Sequence, residues 1–197
     1  MGNFSHKWDR NEGAADGTFD GLYVWLCVSR NKDNKDIEGF RPRTAAFVTD
    51  RARVVEDRWQ SFCGHAIEGE TCRLYRSVNR RNPVKVQNRL MHIMLDKEVD
   101  FARLEAIVAE IAAHKDCAAE KHWLIDFDDD DINHVIEFCK DVYSNSNQEQ
   151  MVKNKRTPHG FAVILDHGCD MRPLYKKWGD VITVKKDDML CERWWSN

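Results

Sequence analysis

The sequence predicts an α+β fold, an antiparallel sheet in its second half with an αβ module packed against it. Three observations predict it. Short segments rich in Val, Ile, Phe and Trp alternate apolar with polar positions, as half-buried strands do. Between them, apolar residues recur at three- and four-residue spacing, the mark of helices buried on one face. From about Lys121 the order of elements is strand, helix, strand, strand, helix, strand, then one further strand.

Residues 1–20 are polar and contain glycine, and are expected to form a loose arm. The module over 21–120 opens with a strand through Tyr23–Val28 and, after a charged loop, a second strand from Thr44 to Thr49. Val54, Val55, Trp59 and Phe62 share one helical face, and Cys72 to Val78 alternates as a strand. Pro83 suits the first turn of a helix running to Leu95. Leu104, Ile107, Val108 and Ile111 align along a helix from Asp100 to His114.

The core over 121–197 has strands at His122–Phe127, Met151–Arg156, Phe161–Leu165, Val181–Lys185 and Met189–Trp195. Its helices are expected at Ile132–Tyr143 and Arg172–Trp178, with SNSNQEQ as a loop. This is a split βαβ, ferredoxin-like (RRM-like palm) arrangement. In such a sheet the first and third strands are antiparallel neighbours, and the fourth lies on the first strand's other side. The exit of the first strand, with Asp126 and Asp128, should then meet the turn Thr157-Pro158-His159-Gly160, with Asp180 at the same end. Asp187 should lie at the far edge.

Hydrophobic residues make up 42% and charged residues 32% of the 197, enough for a core and too little charge excess for disorder. The net charge of -3 excludes an overall basic surface, so nucleic acid would be met by local patches. No apolar run has the length of a membrane span, and the start has no signal-peptide core, so no membrane partner is expected. Seven cysteines without a CxxC pair suit reduced thiols in a cytoplasm. Cys63-Gly64-His65 and His167-Gly168-Cys169 lack zinc-ligand spacing and read as core thiols with surface histidines. Trp123, Trp178 and Trp194 are expected in the core, with Trp195 turned outward.

The stretch HWLIDFDDDDINHVIEF aims five aspartates at one turn. Asp126 and Asp128 are two apart and fall on one face of a strand, where paired carboxylates call for a cation such as Mg²⁺ or Mn²⁺. Asp129 to Asp131 sit at a helix start, where carboxylates cap free N–H groups. A plain reading makes all five cap and solvated charge. Among basic residues, Arg76, Asn79 and Arg80 in CRLYRSVNRRNPVK, and Lys155, Arg156 and Thr157 before the hairpin, are candidates for phosphate binding, with Tyr75 for base stacking. The alternative is Arg76 paired to an acid and a lysine-guarded strand edge.

LIDFD followed by TPHG and AVIL resembles the catalytic core of archaeo-eukaryotic primase-like proteins, over roughly Trp123 to Trp195. The resemblance implies a metal-dependent nucleotidyl- or phosphoryl-transfer site acting on nucleotides or nucleic acid. Asp126 and Asp128 would bind metal, His159 would contact phosphate, and Asp187 or Asp180 would be the third acid. The chain departs from that pattern, because His159 precedes the glycine and Ala162 stands on the strand where a histidine is usual. LIDFDDDDI also resembles the opening motif of haloacid-dehalogenase-type phosphatases, with Asp126 as nucleophile and Asp128 as acid/base. It lies too late in the chain, and about seventy residues are too few for the parallel sheet that fold needs. As a whole the chain resembles a family of uncharacterised proteins of tailed bacteriophages, in Trp123-Leu124 before Asp126-Phe127-Asp128 and in KKDDML near the end. That resemblance implies an infected bacterial cytoplasm, and a degenerate member of the fold would bind nucleic acid, nucleotide or a host protein.

Overall fold

Two antiparallel four-stranded sheets share the chain in a computed structural model, which describes residues 17–96, 98–146 and 152–197. The first half supplies β1 (Thr18–Ser29), β2 (Arg43–Arg51), α1 (Ala52–Gly64), β3 (Thr71–Ser77), α2 (Pro83–Asp96) and α3 (Leu104–Ala113). The second supplies β4 (His122–Phe127), α4 (Ile132–Ser144), β5 (Val152–Thr157), β6 (Gly160–Asp166), α5 (Met171–Trp178), β7 (Ile182–Lys186) and β8 (Met189–Ser196). The fold is α+β.

The first sheet has the order β2-β1-β3-β8. Its two faces follow from strand alternation. Phe47 of β2 joins Trp25, Cys72 and Leu74 in a core closed by Val55, Trp59 and Phe62 of α1. Val48, the next residue along, faces the other way, with Val24, against Val86 of α2 and Ile107, Val108 and Ile111 of α3. The expected helix from Asp100 is divided. A 3-10 turn over Phe101–Arg103 comes first, because the Asp100 carboxylate accepts from the Ala102 N–H at 3.0 Å.

The second sheet has the order β5-β6-β4-β7, with every neighbouring pair antiparallel. Phe127, Phe161 and Val163 bury one face under Val135 and Phe138 of α4 and Leu174 and Trp178 of α5. The ring centroids of Phe127 lie 5.5 Å from Phe138 and 5.8 Å from Trp178. On the other face, Leu124 and Ala162 pack with Val78 and with Leu190 of β8, which joins the two sheets.

Three further expectations change. β1 begins at Thr18, inside the expected arm, and 1–16 lie outside the described residues, as do 147–151 of the loop and strand start after α4. β8, expected with the second sheet, instead pairs with β3 of the first. Its register shifts between Leu74 and Tyr75, where Arg193 and Cys191 are the partners, so Glu192 is an extra bulged residue. A bulge reverses the inside-outside alternation beyond it. Trp195 accordingly packs against the α1 core and does not turn outward.

Candidate functional site

The acidic turn and the TPHG hairpin meet. Phe127 pairs with Phe161, and a Cβ placed on Gly160 would stand 2.2 Å from the Phe127 carbonyl oxygen and 3.1 Å from the Asp129 nitrogen. Gly160 has φ +136°, so glycine alone permits both the conformation and the approach. The Asp128 N–H donates to the Val181 carbonyl at 2.8 Å, which brings the turn beside exposed Asp180 at the entry of β7. Asp128, Thr157, His159, Gly160 and Asp180 therefore share one end of the second sheet. Asp187 lies elsewhere, in the turn after β7.

Within the turn, Asp131 caps α4 by accepting from the Asn133 N–H at 2.8 Å. Asp129 accepts from the Asp131 N–H at 2.8 Å and pairs with His134 Nδ1 at 2.7 Å. These hydrogen bonds, first from the Asp131 amide and then from His134, hold the Asp129 carboxyl below its ordinary range. Asp130 binds Arg156 at 2.7 Å, and that guanidinium also covers the Phe161 ring.

Asp126 projects from the face of β4 opposite the helices, alongside Leu124. Across the ladder it meets Ala162 on β6 and Thr183 on β7. Its charged partner is Lys185, whose ammonium lies 3.2 Å from Asp126 and 3.5 Å from Asp188. Partial burial pulls the Lys185 ammonium down, but Asp126 and Asp188 outweigh it and hold its pKa above the ordinary value. Among the described residues no group of three or more His, Cys, Asp or Glu side chains comes together to hold a metal ion. As the side chains stand, a divalent ion at Asp126 would share the carboxylate with Lys185, which meets Oδ2, and would take further oxygen ligands from water or from a bound phosphate. The two Cys/His pairs lie apart: Cys63 packs on the first core and Cys169 is buried in the second.

The basic candidates carry internal partners. Arg76 stacks over Tyr23 and Trp25 and pairs through Nε with Glu192 at 2.8 Å. Lys155 also pairs with Glu192, whose side chain is only 1% exposed. The bulge aims this carboxylate inward, where it ties β5 to β3 and β8. Arg80 binds Glu120 at 2.9 Å. Asn79, buried, accepts from the His122 N–H at 2.6 Å and donates to the His122 carbonyl at 3.2 Å, as a neighbouring strand would. It also donates to Asp187 at 3.0 Å, while Arg81 grips Asp187 with two bonds of 2.8 and 2.9 Å. Asp187 has φ +64°, and it serves as a clamp between the two halves.

Among the described residues, one corner sets two guanidiniums on a single carboxylate. Arg30 Nε lies 2.7 Å from Asp33, and Arg73 Nη2 lies 2.6 Å from the same carboxylate and 3.2 Å from His159 Nε2. A guanidinium only donates, so Nε2 is the acceptor. Burial raises the Asp33 carboxyl, but Arg30 and Arg73 outweigh it and hold it below the ordinary value. Burial and nearby Cys191 raise the Tyr75 phenol, against the pull of Arg73 and Arg30.

Arg30, Asp33 and Glu192 escape sequence reasoning. Arg30 and Asp33 sit in a loop crowded with charge. Glu192 had one signal, an acid between Cys191 and Arg193 in an otherwise apolar closing strand. The β4 neighbours are antiparallel on both sides, which departs from the parallel sheet of the phosphatase resemblance. No family model, curated protein or solved structure matches the chain.

Proposed function

We propose that the chain is a non-catalytic binding module of ferredoxin-like, palm-type fold, and that it holds a phosphate-bearing ligand, a nucleotide or nucleic-acid strand, at the corner of Arg30, Asp33, Arg73 and His159. The observation that carries this reading is the sharing of Asp33 by two guanidiniums, which among the described residues sets two positive charges on one carboxylate beside the hairpin. Arginine matches phosphate geometry, and Tyr75 next to it offers a stacking surface. The strand order of the second sheet and its helical crossovers support the ferredoxin-like assignment. Lys185 on Asp126, with the Ala162 methyl opposite, supports loss of catalysis. The setting proposed is a bacterial cytoplasm during phage infection.

A second reading keeps catalysis of the primase-like kind, with Mg²⁺ or Mn²⁺ on Asp126 and Asp128. The close approach of Gly160 to Phe127 favours it, because it brings the acids and the hairpin to one rim. In that case Lys185 would share Asp126 with the metal when metal and triphosphate arrive.

Fluorescence anisotropy of a labelled oligothymidylate, with thermal-shift measurements against ATP, tests the proposal. Wild type should bind with marked salt dependence, and Arg30→Ser should weaken binding by about tenfold. Arg30 is 38% exposed, so its removal spares the core. No binding of the oligothymidylate together with no thermal shift from ATP would overturn the proposal.

A further inference from the structure

We propose that the free edge of β2 is a docking site for an extended peptide segment of a partner protein, added as a fifth strand to the first sheet. Among the described residues β2 is the outermost strand of the order β2-β1-β3-β8, and alternate backbone N–H and C=O groups along it meet no further strand there. A strand edge of this kind is a template for strand addition. Here it lies in a groove of about 530 Å³. The floor includes Ala45 and Ala46, and small side chains there leave room for an incoming backbone.

The walls carry opposite charge. α1 covers the Phe47 face of β2 and contributes Arg58; α3 covers the Val48 face and contributes Glu105 and Glu110. Arg58 and Glu105 reach each other around the edge at 2.6 Å. Their side chains are 52% and 53% exposed, so this pair is weak and opens at small cost. It guards the edge when nothing is bound. A strand presents alternate residues to opposite faces. The occupant that fits therefore alternates acidic and basic side chains, its acids toward Arg58 and its bases toward Glu105 and Glu110.

Charge also argues against a second copy of this chain. Two β2 edges paired antiparallel about a twofold normal to the sheet would set the α1 wall against the α1 wall and the α3 wall against the α3 wall. Like charges would then meet on both faces.

The test uses the full chain and two labelled peptides of one composition. Acetyl-Val-Lys-Glu-Thr-Glu-Lys-Val-amide places its acids on one strand face and its lysines on the other. Acetyl-Lys-Val-Glu-Thr-Lys-Val-Glu-amide mixes both charges on one face. The first should bind at least about tenfold more tightly than the second. It should slow hydrogen exchange of β2 amides, and Arg58→Ala/Glu105→Ala should abolish the preference while leaving the circular dichroism unchanged. Equal affinity for the two peptides, exchange protection elsewhere than β2, or a stable homodimer in sedimentation that hides the β2 edge would each overturn the proposal.

Discussion

Gly160 lies against the backbone of Phe127, so close that a methyl group at its Cα would stand 2.2 Å from the Phe127 carbonyl oxygen. The contact couples the hairpin between β5 and β6 to the acidic turn after β4. The obstacle is backbone, and the φ of +136° is one that L side chains rarely adopt. Gly160→Ala should therefore destabilise the fold by about 2–4 kcal/mol, read from urea melts. A neutral result would mean that the hairpin does not press on the turn.

Glu192 is the hub of a buried ion network. Glu192→Ala takes the buried carboxylate away from both Arg76 and Lys155 and should cost about 3–5 kcal/mol. An apolar exchange of both partners, Arg76→Met with Glu192→Leu, should recover much of that loss, because the guanidinium is removed together with the carboxylate it pairs with. Lys155 keeps its way to solvent, being 33% exposed. Chemical denaturation of the three proteins checks the order.

Asn79 substitutes for a strand at the seam between the two sheets. Asn79→Ala removes both bonds to the His122 backbone and the bond to Asp187. The His122 N–H and C=O then lose partners in a part-buried seam, and a loss of about 2–4 kcal/mol is expected. Hydrogen exchange at His122 should accelerate more than at Phe127, at the far end of the same strand.

His134 reports on the acidic turn. Donating a hydrogen bond to the Asp129 carboxylate raises its pKa above the ordinary 6.5, and the Asp129 carboxyl is lowered from 3.8. The raised histidine contributes stability fully below pH 6.5, and that contribution is lost as pH rises through its folded pKa. The lowered carboxyl contributes above pH 3.8 and loses its contribution as pH falls through its own folded value. An NMR titration should place the His134 midpoint above 6.5 in wild type and closer to 6.5 in Asp129→Asn.

Much of the architecture was legible because period and punctuation are local. Val55, Trp59 and Phe62 announced α1, Pro83 began α2, and Asp131 capped α4 where an acid before a helix should. The home of β8 was not legible, since nothing in Met189 to Ser196 says which sheet edge is free. The bulge at Glu192 was equally hidden, and with it the inward turn of Trp195. At the candidate site, topology alone brought Asp128 and Gly160 together. The partners of the charges were not readable, because Asp126 and Lys185 are 59 positions apart and Arg73 and His159 are 86 apart. An acid two places from another acid reads as a metal pair until the lysine across the sheet is seen.

The claim that Asp126 is committed to Lys185 is tested most directly by titrating Mn²⁺ calorimetrically into the wild type and into Asp126→Asn/Asp128→Asn. Equal and negligible heats are predicted for the two proteins. Saturable binding to the wild type that disappears in the double variant would contradict the account and restore the acidic turn as a metal site.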